Sequence, residues 1–228
     1  MDIADNLNEI NIRIKNALNA AGRSEDDIVL IGVTKYAKAA EIEAAVNAGL
    51  IHLGENRVQD FLKKYEAIDN SRIKWHFIGK LQRNKVKYII NKVSLIHSLD
   101  NLPLAREINR HALASNIIMP VLVQVNIANE VTKSGLPIEE VLPFIETLYS
   151  LKNIQVKGLM TIAPLVDDPE DAKPCFRAMK QLFNELKSYN YPHTDIKYLS
   201  MGMTNDFEVA ISEGSNMIRI GRGIFTSK

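Results

Sequence analysis

Only one cysteine, Cys175, stands among the 228 residues, so no disulfide can form within the chain and paired thiolates cannot build a structural zinc site. Its surroundings, Pro174-Cys175-Phe176-Arg177-Ala178-Met179, have a helical pattern in which it reads as a small core residue. Long apolar runs are missing too: none approaches the roughly 18 residues of a membrane span. The opening Met1-Asp2-Ile3-Ala4-Asp5-Asn6 is acidic and polar where a signal peptide is basic and then apolar. These absences together give the expectation of a cytoplasmic protein. An excess of one charge is also lacking. Lys and Arg total 28 against 27 Asp and Glu, which argues against a surface built for nucleic acid or anionic membrane. No Pro/Gly/Ser-rich linker divides the chain, so residues 1–228 read as one domain. There is no G-x-S-x-G elbow and no P-loop, and His52, His97, His111 and His193 fall in four segments without metal-ligand spacing. No metal is expected.

What the chain does have is alternation. Ile3, Leu7, Ile10, Ile14 and Leu18 keep helical spacing, and Gly22 ends that segment. Eight short apolar, often β-branched runs follow, at 28–33, 50–53, 74–78, 93–97, 118–126, 155–161, 196–200 and 216–220. Amphipathic stretches lie between them, marked by Ile42, Ala45, Val46 and Leu50, by Val86, Ile89 and Ile90, and by Phe176, Met179, Phe183 and Leu186. Asp168-Pro169-Glu170 supplies the cap, first-turn proline and early carboxylate of a helix start. Eight strand–helix units in about 200 residues favour an α/β (β/α)8 barrel of TIM type, preceded by an extra N-terminal helix, over an open doubly wound sheet.

Such a barrel carries its chemistry at the C-terminal ends of its strands. Lys35 follows the first run, Gly54-Glu55-Asn56-Arg57 the second, and His76-Phe77-Ile78-Gly79-Lys80-Leu81-Gln82-Arg83-Asn84-Lys85 closes the third. Ser200-Met201-Gly202-Met203-Thr204-Asn205-Asp206 and Arg219-Ile220-Gly221-Arg222-Gly223 lie at the ends of the seventh and eighth. Glycines, a hydroxyl and backbone N–H groups after those last two strands suit an anion, a phosphate above all; taken alone the glycines could serve tight turns only. An amine against a dry barrel wall loses proton affinity and can attack a carbonyl, which gives Lys35 a Schiff-base reading beside that of a solvated strand-end cation. Phosphate and imine together point to pyridoxal phosphate or to a phosphosugar aldolase. His76, between Trp75 and Phe77, suits ligand orientation and core packing equally. Lys80, Arg83, Lys85 and Lys87 read as a solvated face that can also draw phosphates to the rim.

Val33-Thr34-Lys35, Gly54-Glu55-Asn56-Arg57-Val58-Gln59, the ten residues from His76, Gly158-Leu159-Met160, Leu199-Ser200-Met201-Gly202-Met203 and Arg219-Ile220-Gly221 together resemble the pyridoxal phosphate homeostasis protein family. That family is similar to the N-terminal barrel of alanine racemase and of eukaryotic ornithine decarboxylase. The resemblance implies a binder of pyridoxal 5'-phosphate that serves intracellular vitamin B6 homeostasis without established catalysis. Lys35 would hold the cofactor as a Schiff base. Ser200, Gly221 and the Arg222 backbone would surround its phosphate, with Met201 and Gly202 in the same loop. Arg219 would face the pyridine nitrogen and Asn56 would line the pocket near the ring. The partners implied are the cofactor and, transiently, apo-enzymes that receive it, with the protein a monomer or weak dimer. Arg222 departs from the small or hydroxyl residue common after Arg-Ile-Gly, so a hydroxyl contact is replaced by backbone contacts and an added guanidinium. The last strand lies so near Lys228 that the final barrel helix is expected to be short or missing, with the N-terminal helix closing the barrel in part. An arginine at the ring nitrogen leaves the ring a weak electron sink. Alanine racemase shares that feature, but the resemblance implies that its second base comes from an added C-terminal domain on a partner subunit, a domain not expected in this chain. The alternative is an amino-acid racemase or decarboxylase using His76 or Tyr36 as the second base.

Overall fold

The computed structural model describes residues 2–68, 71–128, 130, 134–189 and 191–226. Eight parallel strands close into a barrel in sequence order: β1 (Val29–Val33), β2 (His52–Glu55), β3 (Lys74–Phe77), β4 (Leu95–Leu99), β5 (Met119–Val125), β6 (Ile154–Thr161), β7 (Thr194–Ser200) and β8 (Met217–Ile220). Closure is made by β1 against β8, with Val29 opposite Met217 and Gly32 opposite Ile220. Between and around the strands lie α1 (Ile3–Ala20), α2 (Ala39–Asn47), α3 (Val58–Ala67), α4 (Val86–Ile89), α5 (Leu102–Ala114), α6 (Ile138–Thr147), α7 (Lys173–Ser188), α8 (Phe207–Ser212) and α9 (Arg222–Phe225). The expected TIM-type barrel with an extra N-terminal helix is the fold observed.

Helix α1 starts where the Asp2 carboxylate accepts the Ile3 N–H at 2.6 Å and buries Leu7, Ile10, Ile14 and Leu18 on one stripe. That stripe packs against the last helices, α8 and α9, where the Asn6 amide donates to the Ile224 carbonyl at 3.0 Å. Helix α9 is a single turn, and α1 covers the wall that a longer helix would protect. The pattern at Asp168 resolves into a cap on Glu170 N–H at 3.0 Å, a 3-10 turn over Pro169–Ala172, and then α7.

Two strands begin two residues later than the apolar runs suggest. Leu50 donates its N–H to Ala45 O and Val93 to Ile89 O, so each closes the preceding helix. These are the apolar residues that seal a helix C-terminus against the core, and they read as strand because they adjoin one. Cys175 is half-buried on α7 rather than a core residue.

Candidate functional site

Along a barrel strand, side chains point alternately to the axis and to the surrounding helices. Ile31, Leu95, Leu122, Met160 and Met217, with Val29 and Tyr198, form an apolar plug of their own, separate from the larger core between strands and helices. Two residues further along β4, β7 and β8 the inner positions carry His97, Ser200 and Arg219. These inner polar groups connect. The Arg219 guanidinium donates from Nη1 to Ser200 Oγ at 2.7 Å and from Nη2 to the Thr161 carbonyl at 2.8 Å. Ser200 Oγ lies 3.3 Å from His97 Nδ1, His97 Nε2 lies 3.0 Å from His76 Nδ1, and His76 Nε2 lies 2.9 Å from His52 Nδ1.

Burial governs the charge state of this chain. It holds His76 down to about 3, with His52 and Lys74 adding repulsion, and His97 well below the ordinary imidazole value, with His76 and Arg219 adding to it. His52 at the other end is held at about 4 by burial and then Lys74. All three rings are therefore neutral at pH 7. Burial also lowers Arg219 to about 10, against the pull of Asp206, so at pH 7 the guanidinium keeps its charge. Burial raises the Asp206 carboxyl, while the Met203 N–H and Arg219 act in the opposite sense.

Lys35 sits two residues beyond Val33, which pairs with Gly54 of β2. By register it stands level with Asn56 on one side and, across β8, with the turn that starts at Gly221. It is half-buried, and its ammonium lies 4.7 Å from the centre of the Tyr36 ring, a residue 81% exposed. Asn56 presents a buried Oδ1 without a hydrogen-bond partner, an acceptor that costs free energy unless a ligand donor reaches it. Asn56 is held by close backbone contact: a Cβ on Gly79 would lie 2.1 Å from its carbonyl oxygen, so only glycine allows the loop after β3 to approach the loop after β2.

Beneath Lys35 lies a buried ion pair. Glu55, at the end of β2 with its side chain toward the helices, has no exposed surface and pairs with Lys64 of α3. Its carboxylate also accepts the Thr34 hydroxyl at 2.8 Å and the Asn56 N–H at 3.1 Å, and the Lys64 ammonium also donates to the Thr34 carbonyl. The residue before Lys35 is thus clamped to β2 and α3 together.

The part of the rim next to Lys35 on the β8 side is built from the loops after β7 and β8. Gly202 has φ +95°, and a Cβ there would stand 2.6 Å from that of Ala210; its carbonyl accepts the Arg219 N–H at 3.0 Å. Among the described residues no carbonyl accepts from the N–H groups of Gly221, Arg222 or Gly223. Helix α9 is too short to add a helix dipole, so the turn offers amides alone.

Of the residues expected at the site, Lys35, Asn56, Gly221 and Arg222 lie on this rim, with Arg219 buried below it. Ser200 does not face the loop. Its hydroxyl is fully buried and engaged by Arg219, and the threonine whose side chain reaches the β8 turn is Thr204, its Cγ2 3.4 Å from where a Gly223 Cβ would be. Met201 is buried among the helix-facing core residues and gives its N–H to Met217 O, so neither group is presented to the rim. His76 is a packed inner residue and not a rim group. Two of the histidines that look scattered in the sequence, His52 and His97, meet in space through His76, since the three occupy inner positions of three consecutive strands. Arg83 lines a groove of about 910 Å³ with Arg106 and Arg110, between the loop after β3 and the start of α5, and Lys35 is not part of its lining.

This geometry is that of a parallel barrel with an amine and a turn of uncommitted amides at one mouth and a buried guanidinium below them. A family model described as the alanine racemase N-terminal domain matches residues 6–228, and the chain belongs to that family. Within it the chain groups with the pyridoxal phosphate homeostasis proteins. It is 46% identical over 226 residues to the one from Aquifex aeolicus, covering 99% of this chain and 98% of that protein. Among solved structures, an unknown protein from Bifidobacterium adolescentis is 34% identical with TM-score 0.92, over 98% of this chain and 94% of that one. PipY of Synechococcus elongatus, solved with pyridoxal phosphate bound, is 30% identical with TM-score 0.85, over 98% of this chain and 100% of PipY.

Proposed function

We propose that this protein is a cytoplasmic carrier that holds pyridoxal 5'-phosphate through a Schiff base on Lys35 and supplies it to apo-enzymes. The observation that carries the reading is the placing of Lys35 on one barrel mouth with an unpartnered Asn56 acceptor, the uncommitted amides at Gly221 and Arg222, and the Arg219 guanidinium. The names of the relatives and the cofactor in PipY support it. Bound there, the cofactor supplies an aldehyde for imine formation and an electron-accepting ring. The N–H groups of Gly221 and Arg222, with Thr204, take the phosphate, and Gly202 shapes their loop while Met201 anchors it from the core. Asn56 lines the ring. Arg219, which can only donate, keeps a facing ring nitrogen unprotonated and so restrains carbanion chemistry.

The second reading, an amino-acid racemase or decarboxylase, keeps one candidate base. The Tyr36 phenol lies beside Lys35, whose hydrogen bond and charge lower its pKa, whereas His76 has both ring nitrogens inside the barrel.

The test is spectroscopic. Protein loaded with pyridoxal phosphate should be yellow, bleach with borohydride and carry the label on Lys35, and Lys35→Ala should be colourless. Undiminished loading of Lys35→Ala would overturn the imine. Transfer to an apo-enzyme should restore that enzyme's activity. Incubation with amino acids in heavy water should give no α-deuteration at enzyme-like rates, and fast exchange abolished by Tyr36→Phe would install the second reading instead.

A further inference from the structure

The polar chain inside the barrel is longer than cofactor binding requires. Ser200 and the Thr161 carbonyl would suffice to hold Arg219, yet hydrogen bonds continue through His97 and His76 to His52, the first residue of β2, at the N-terminal end of the barrel. The direction of each bond can be worked out. Arg219 has donors only, so Ser200 Oγ accepts from it. Each neutral imidazole has one N–H and one lone pair, so three rings in series all point toward Ser200 or all point away. If they pointed toward it, His97 would donate to Ser200 Oγ, and the buried Ser200 proton would have no acceptor among the described residues. The N–H ends of the ring dipoles would also face the guanidinium, and the carboxylate that acts on it, Asp206, accepts from the Met203 N–H. Pointing away, the Ser200 hydroxyl donates to His97 Nδ1, every lone pair faces the positive charge, and the last proton, on His52 Nε2, ends at a half-buried position.

We propose that His97, His76 and His52 are positioning residues that form, with Ser200, a one-way relay in which every ring accepts at Nδ1 and carries its proton on Nε2. The relay commits the Ser200 proton inward, so that Ser200 meets Arg219 only as an acceptor and fixes the guanidinium with Thr161. Three N–H groups of Arg219 are then left uncommitted among the described residues. Serving the cofactor ring with one of them rests on the function proposed above; the relay itself does not.

The test uses the cofactor-free full chain labelled with ¹⁵N-histidine, with long-range ¹H–¹⁵N correlations read at pH 7. His52, His76 and His97 should each show a protonated Nε2 and an unprotonated Nδ1. The reverse pattern, a mixture, or a charged ring would overturn the relay. Hydrogen exchange of the Arg219 guanidinium then reads positioning. A glutamine carboxamide can accept from Ser200 with its oxygen and donate to His76 with its nitrogen. His97→Gln should therefore keep the His76 tautomer and slow Arg219 exchange, whereas His97→Leu should lose both, with exchange faster by about tenfold, as expected for a weakened charge-assisted hydrogen bond. Should His97→Leu not fold, His76→Leu cuts the same relay one ring further along and leaves the Arg219–Ser200 contact in place. Unchanged Arg219 exchange in the cut variant would overturn the positioning role. Because these measurements need no cofactor, a failure to bind pyridoxal phosphate would sink the carrier reading and leave the relay standing. Mixed tautomers in a protein that loads normally would do the reverse.

Discussion

Replacing Lys64 by methionine tests whether the buried pair under the rim holds Lys35 in place. Methionine fills the space of the lysine stem and removes the charge. Glu55 has no exposed side-chain surface and Lys64 only 15%, so the carboxylate is left in a dry site without its cation. Breaking a buried pair from one side costs about 3–5 kcal/mol. Glu55 keeps the Thr34 hydroxyl and the Asn56 N–H, which places the cost near the lower end, about 3 kcal/mol. In a chain of this size about 3 kcal/mol lowers Tm by roughly 6–12 °C, to be followed by circular dichroism at pH 7. Adding Glu55→Gln removes the stranded charge while keeping a carbonyl for Thr34, so the double variant should recover part of the loss, with a coupling of about 2 kcal/mol. Since Lys64 also bonds the carbonyl of Thr34, Lys64→Met should hold pyridoxal phosphate more weakly at temperatures where it is fully folded. A Tm drop under about 2 °C, or strictly additive costs, would refute the reasoning.

Gly202→Ala places a Cβ at φ +95° and 2.6 Å from another; it should cost at least about 2 kcal/mol, read as a lower urea midpoint, and a neutral result would show that the loop after β7 can relax. Acid should destabilise the barrel before its carboxylates titrate. His76 is held at about 3, below the ordinary 6.5, and His97 is also depressed, so the unfolded chain binds protons that the fold refuses. Their contribution is intact above about 6.5 and lost as pH falls toward 3, with a slope approaching about 1.4 kcal/mol per pH unit for each ring. Urea midpoints at pH 7, 6 and 5 should fall accordingly, and less steeply in His76→Gln; a flat profile would contradict the buried neutral rings.

Most of the fold is legible in the sequence because buried parallel strands are short and rich in apolar residues, and each of the eight apolar runs falls on one of the eight strands. What blurs is the boundary: Leu50 and Val93 are as apolar as a strand residue, and only their N–H bonds to Ala45 and Ile89 assign them to helix ends. Lys35 and Asn56 are legible for the same reason as the fold, since they follow apolar runs at the end where a barrel places its chemistry. The inner relay is not, because a histidine's neighbours along the chain do not say which face of the strand it occupies. A signal exists nonetheless. His97 stands two residues after Leu95, Ser200 two after Tyr198 and Arg219 two after Met217, and each predecessor belongs to the plug along the axis. With period two, one known axial residue per strand fixes the facing of the rest.

The same parity separates the two parts of Gly54-Glu55-Asn56. Asn56 shares the inner face with Gly54, where a Cβ would meet Ile31 and Ile78, and Glu55 points outward to Lys64. Adjacent residues of one motif thus do different work, one presenting an acceptor to the mouth and the other tying down the strand that carries the amine. The parity also assigns the polar residues of the seventh strand and its loop. Ser200 is an inner residue and belongs with Arg219, while Thr204, beyond the strand where period two no longer applies, is free to turn toward Gly223. A hydroxyl read from a motif therefore has to be placed on a face before it is given a ligand. On that ground Ser200→Ala should disturb Arg219 and the histidines more than the phosphate, and Thr204→Val the phosphate more than Arg219. Comparing the two variants' affinity for inorganic phosphate with their Arg219 exchange rates separates the roles, and the opposite ranking would return Ser200 to the anion site.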